Sequence, residues 1–175
     1  PVLEEMIASF PFRILGFHSD NGSEYINRRV AELLEKLLIE FTKSHSRHSN
    51  DNALAESKNG SVVRKIFSYG HIPRKWASKI NEFNSRFLNP HLNYHRPCFF
   101  PLVKTDAKGK QKKHYPYERM MTPYDKLKVI PNAEIYLKPE VTFKDLDEFS
   151  MLMSDNESAR ILKNERTKLF NLIFK

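Results

Sequence analysis

Cysteine is almost missing from this chain: Cys98 is the single one in 175 residues. That excludes an internal disulfide and a multi-cysteine zinc site, leaving Cys98 as an ordinary buried or half-exposed thiol. Long apolar runs are missing too. No stretch approaches the roughly eighteen uninterrupted apolar residues of a membrane-spanning helix, and the first segment lacks the charge and cleavage pattern of a signal peptide. These absences predict a soluble, cytoplasmic chain with no membrane partner. What is present suffices for one real core and a small appendage, since 40% of the residues are hydrophobic.

The net charge of +8 is unevenly spread. Residues 1–60 hold 7 basic and 9 acidic side chains, residues 61–120 hold 13 and 3, and residues 121–175 hold 9 and 9. Positive charge thus concentrates in the middle third, as a polyanion-binding surface requires. A solvated basic loop is the bland alternative.

Val2 to Phe10 reads as a helix stopped before Pro11, followed by a β-rich run from Phe12 to His18. Val30, Leu33, Leu34, Leu37 and Leu38 recur at helical spacing, and Ile39 to Thr42 reads as a second strand. Strand, helix, strand predicts a right-handed parallel crossover. Sites in such sheets form outside the carboxyl ends of strands, where Asp20 would stand. Ser44 to Asn52 reads as a mobile loop, and a helix follows from Ala53 to about Phe67, capped by Ser49, Asn50 or Asp51. Glu56 falls in its first turn, with Asn59, Gly60 and Val63 on the same face. After a break at Gly70 to Pro73, the residues Trp76, Ile80, Phe83 and Phe87 mark another apolar helix face.

Asp20 in HSDNGSEY and Glu56 in NDNALAESKNG are separated by thirty-five residues. These two segments, their spacing, and the later NYHRP (Asn93 to Pro97) and TPYDKL (Thr122 to Leu127) together resemble the catalytic core of the DDE transposase and retroviral-type integrase superfamily, specifically bacterial insertion-sequence transposases. The likeness covers roughly residues 1–130. It implies an RNase H-like α/β core, DNA integration or transposition by phosphodiester cleavage and strand transfer, and two Mg2+ or Mn2+ ions. Asp20 and Glu56 are then catalytic metal ligands, since hard carboxylate oxygens suit those ions. The implied partners are DNA, as element ends and target, and further copies of the chain as a homo-oligomer. The implied location is the nucleoid.

The departure from that pattern is that no aspartate precedes Asp20, and Glu4 and Glu5 are no substitutes. The expectation is an integrase core lacking its opening antiparallel strands, inactive in strand transfer by itself and prone to associate because Phe12 to His18 has lost a neighbour. An inactive remnant that binds DNA or transposase, and an RNase H-like nuclease, are the alternatives.

Around the two acids, Asn59 is the best candidate to support a metal ligand by hydrogen bonding, while Asn21 and Gly22 suit a turn and Ser23 or Asn27 a helix cap. Arg47, Lys58, Arg64 and Lys65 are candidate phosphate contacts. So are Lys108, Lys110, Lys112 and Lys113, within a basic, turn-rich segment from Lys104 to Arg119 that reads as a flexible insertion. The pairs His45 with His48 and His91 with His95 have metal-site spacing, but without cysteine partners a structural role outweighs zinc. His95, Arg96 and Pro97 read as a structural turn.

Thr122 and Pro123 read as a helix start; Ala133 to Leu137 and Val141 to Phe143 read as short strands. A last helix runs from about Asn156 to Phe174, capped by Ser154 or Asp155, with Leu162, Leu169, Leu172 and Ile173 as its packing face. The expected domains are a partial integrase core (1–100), a basic linker or insertion (101–121) and a small mixed carboxy-terminal region (122–175).

Overall fold

A computed structural model describes residues 2–19, 27–43 and 59–174. The chain is mixed α/β with small sheets and divides into two compact units, Pro1–His71 and Ile72–Lys175.

In the first unit, helix α1 (Val2–Ser9) precedes strand β1 (Gly16–Ser19), helix α2 (Arg28–Lys36) and strand β2 (Glu40–Lys43). The two strands pair in parallel, from Gly16 opposite Glu40 to Ser19 opposite Lys43. The expected strand–helix–strand crossover is therefore present, although β1 starts later than the apolar run suggested. Regular strand is limited to the four residues that β2 matches; Phe12 forms an isolated bridge and Arg13 to Leu15 stays outside regular structure. Asn27 caps α2, its Oδ1 accepting from the Val30 amide at 3.0 Å. Leu34 is fully buried beneath that helix.

The expected leucine stripe ends earlier than its spacing suggested. Leu37 terminates α2, and Leu38 adopts φ 55 and is 91% exposed. The amide of Ile39 donates to the Leu34 carbonyl at 2.9 Å and that of Leu38 to the Glu35 carbonyl at 3.0 Å. This pair of bonds is the helix stop that ordinarily places glycine at the left-handed position. A leucine there carries backbone strain of about 1–2 kcal/mol and buries nothing in return. Leu38→Gly is therefore expected to stabilise the chain by about 0.5–1 kcal/mol after the entropy cost of glycine, measured by thermal unfolding.

From the expected Ala53 to Phe67 helix, the described part is a wide π turn, Asn59–Val63, leading into α3 (Arg64–Phe67). Ser68 ends it at φ 63. The wide turn changes the spacing that put Asn59, Gly60 and Val63 on one α-helical face, because five-residue closure rotates each later side chain away from the 3.6-residue register.

The second unit opens with a 3-10 turn (Arg74–Trp76) and α4 (Ala77–Phe83), which continue through two π turns, Asn84–Leu88 and His91–His95. Pro90 lies between those two turns in helical backbone. A proline there has no amide to donate and its ring crowds the carbonyl four residues back, which a widened helix accommodates. Phe83 and Leu88 are buried, as the apolar spacing required for Phe83.

Beyond Pro97 the chain forms a short antiparallel pair, β3 (Cys98–Phe99) with β6 (Met120–Met121), and between them a hairpin of β4 (Leu102–Thr105) and β5 (Gln111–His114). A 3-10 turn, Tyr117–Arg119, leads into β6. Then come α5 (Pro123–Lys128), α6 (Phe143–Met151) and α7 (Asp155–Phe174). The helix start at Thr122 is as expected: Thr122 and Asp125 form a reciprocal capping box ahead of Pro123. The strands expected at 133–137 and 141–143 are not formed. Ala133–Tyr136 is a 3-10 turn entered through left-handed Asn132, and Thr142 caps α6 with Asp145. Capping hydrogen bonds and burial of Ala133 and Leu137 outweighed β propensity over these short runs. Tyr124, Leu137 and Leu146 form the core here, packed by Tyr94, Leu127, Val141 and Phe143.

Candidate nucleic-acid interface

Asp20, Arg47, Glu56 and Lys58 lie outside the described residues, as do His45 and His48. The residue before Asp20, Ser19, closes β1 and is buried. Asn59 begins the π turn and is exposed, and Arg64 and Lys65 are exposed on α3. These three share one short helical segment that begins three residues after Glu56 in sequence. The Arg64 guanidinium lies 5.4 Å from the centre of the exposed Tyr69 ring, a cation–π contact that steers it without burying it. A Cβ on Gly60 would meet nothing within 4 Å, so among the described residues its surface is open.

Lys108, Lys110, Lys112 and Lys113 belong to the β4–β5 hairpin of the second unit, where the sequence suggested a flexible insertion. The turn is well defined. The Gly109 amide donates to the Asp106 carbonyl at 2.9 Å, and the Asp106 amide to the Lys110 carbonyl at 3.0 Å. Gly109 takes φ 78, which a side chain would strain. Asp106 Oδ1 accepts from the amides of Lys108 at 3.0 Å and Lys110 at 2.9 Å. The signal that reveals this was in the sequence: Asp106 followed three residues later by Gly109, a turn pair.

Register places Lys104 opposite Lys112, and Val103 opposite Lys113. The sequence placed Lys104 at the start of the basic segment, and the pairing adds its position directly across from Lys112. All residues from Val103 to Tyr115 are exposed. Among the described residues, none of Lys104, Lys108, Lys110, Lys112 and Lys113 forms an ion pair.

The histidine pair His91 and His95, the second of them in the NYHRP segment, is structural. His95 is buried, and its Nδ1 lies 3.0 Å from Asp155 Oδ1; His91 Nδ1 lies 3.0 Å from Ser158 Oγ. Both contacts fasten the second π turn to the first turn of α7. Burial lowers the His91 pKa, with the neighbouring His95 and Arg96 adding to the effect. Asp155 and Ser158 could not be found as partners from sequence, since more than fifty residues separate them from the histidines. Among the described residues no group of three or more His, Cys, Asp or Glu side chains is placed to hold a metal. No helix among them is long and apolar enough to cross a membrane.

No protein-family model matches the chain, and no solved structure does. Over 70 residues, 40% of its length, the chain is 36% identical to "Uncharacterized protein y4rM" of Sinorhizobium fredii (strain NBRC 101917 / NGR234). The matched stretch spans 20% of that relative. What the chain presents is thus a mixed α/β protein with a parallel strand pair and an exposed basic hairpin.

Proposed function

We propose that the chain is part of an RNase H-like DNA strand-transfer enzyme of the transposase and integrase type, with Asp20 and Glu56 among its metal-binding carboxylates. The observation that carries this reading is the parallel β1–α2–β2 unit, whose first strand ends at Ser19, one residue before Asp20. Open parallel sheets gather their chemistry at strand carboxyl ends, and Asp20 follows such an end in sequence. The spacing to Glu56 and the SDNG and ESKNG contexts add the family resemblance.

A pair of carboxylates is a hard-oxygen donor set suited to Mg2+ or Mn2+. When bound, such ions activate an oxygen nucleophile and stabilise the departing oxygen of a phosphodiester. The chain's own part is to supply negative charge at two positions, with Asn59 orienting a ligand by its amide, and to attract DNA through the exposed cations Arg64 and Lys65 beside that segment. Arg47 and Lys58, on either side of Glu56 in sequence, are further candidate phosphate contacts. The partners are then DNA ends and target, and further copies of the chain.

The intact protein containing this chain, mixed with a labelled DNA duplex and a supercoiled plasmid, is expected to join the two in Mg2+ and not in EDTA. Joined product read on a denaturing gel supports strand transfer. Cleavage without joining would assign a nuclease, and binding without either reaction a DNA-binding remnant.

A further inference from the structure

We infer that the hairpin Leu102–His114 is a separate DNA-docking ribbon that enters the major groove of a duplex and holds the phosphates on either side with its lysines. It takes from the proposed function only the choice of DNA as the polyanion. The hairpin does not pack: both faces are exposed from Val103 to Tyr115, so it contributes no core, and two isolated strands are marginal in water. What holds it is the Asp106–Gly109 turn at its tip, beyond the β3–β6 pair that frames it in sequence.

Its charge pattern is costly without a partner. Lys104 and Lys112 stand directly opposite each other, with Cβ atoms about 5 Å apart, an arrangement that destabilises a strand pair when both side chains carry the same charge. Lys108 and Lys110 extend the positive surface through the turn, and Lys113 projects from the other face. The hairpin's single acid, Asp106, directs Oδ1 into its own turn, where it meets two backbone amides. A row of phosphates would turn the Lys104–Lys112 repulsion into attraction on both strands.

Dimensions and composition select duplex DNA. Two strands about 4.8 Å apart with their side chains fit a groove about 12 Å wide, and four residues per strand plus the turn reach about 17 Å, beyond the groove depth of about 8.5 Å. Single-strand sites need aromatic platforms for stacked bases, but β4 and β5 carry none; Tyr115 and Tyr117 lie past the end of β5. A membrane-inserting tip would need large apolar side chains, and Asp106 to Lys110 offers only Ala107 and Gly109 beside its charges.

The test is fluorescence anisotropy of the full chain with a short random-sequence duplex, in EDTA so that no metal chemistry contributes. Lys104→Gln with Lys112→Gln keeps length and polarity at exposed positions, and circular dichroism checks that folding is retained. Each phosphate contact contributes a slope of about 0.9 to the fall of log affinity with log salt, so the double variant is expected to be shallower by about 1.8. The affinity lost between about 50 and about 200 mM salt then shrinks about 12-fold. Lys144→Gln with Lys163→Gln, exposed lysines elsewhere in this unit, is expected to leave the slope unchanged. An unchanged slope in the hairpin variant overturns the inference; so does equal affinity for single strand and duplex, or a slope loss shared by the control variant. Because no catalysis is read, these results are independent of whether the protein joins DNA.

Discussion

Asp20→Asn, and separately Glu56→Gln, are each expected to reduce strand joining by the intact protein about 10^3-fold or more while leaving duplex binding within a few-fold of wild type. Asparagine and glutamine keep the size and much of the hydrogen bonding of the acids they replace but remove the negative charge. Two divalent ions close together repel strongly, and carboxylates are what make their joint residence favourable. Losing one ligand from a site that contributes several kcal/mol to transition-state stabilisation, of which about 4 kcal/mol is roughly a thousandfold, accounts for the size of the effect. Binding should hold because the proposed DNA contacts are cations at other positions, and removing a negative charge would only lessen repulsion of a polyanion. Equal loss of binding and joining in these variants would mean that the acids act through folding. Joining at the wild-type rate would remove them from the chemistry altogether.

The parts of the fold legible in sequence were those in which one local signal suffices. Thr122-Pro123 and Ser154 announced helix starts because their side chains act on backbone amides within three residues: Thr122 Oγ1 accepts from the Asp125 amide at 3.0 Å and Ser154 Oγ from Glu157 at 3.3 Å. The parallel β1–β2 pair followed from alternating strand and helix patterns joined by a short crossover. What could not be read depended on distant groups or on competition. His95 looked like a turn residue, and only the packing of α7 reveals Asp155 as its partner. Leu37 and Leu38 continued an apolar period in sequence, yet the helix stop turned them outward. The hairpin was hidden because β5, Gln-Lys-Lys-His, lacks the β-branched and large aromatic residues by which strands are recognised, leaving the Asp106 and Gly109 turn residues and the short Val103 to Thr105 run to mark it. For the candidate site, the two acids and the chemistry proposed for them rest on the sequence resemblance, whereas the Lys104–Lys112 pairing required the register.

Tyr124→Ala is expected to destabilise the second unit by about 3–5 kcal/mol, the range for removing a buried aromatic, whereas Tyr124→Phe should cost about 1–2 kcal/mol, one hydrogen bond to a charged acceptor. The ring stands at the centre of the core, 5.1 Å from Tyr94 and 6.4 Å from Phe143 between ring centres. Its hydroxyl donates to Asp147 Oδ1 at 2.7 Å, and Lys128 Nζ donates to the same oxygen at 2.6 Å. In the phenylalanine variant Asp147 keeps Lys128, so the carboxylate is not abandoned and the cost stays small. Burial pushes the Tyr124 phenol above its ordinary range, and the bond to Asp147 and that carboxylate's charge push it further. A group whose folded pKa is raised lends stability that is complete below its unfolded value, about 10 for tyrosine, and is lost as pH climbs toward the folded value. Wild type should therefore weaken above about pH 10, and Tyr124→Phe should remove this share of the alkaline loss. Trp76, the chain's single tryptophan, lies in this unit, so urea unfolding followed by its fluorescence reads the unit directly. If Tyr124→Phe proved as destabilising as Tyr124→Ala, the hydroxyl network would outweigh the packing of the ring. An alkaline limb identical to wild type would show that this phenol is not what titrates.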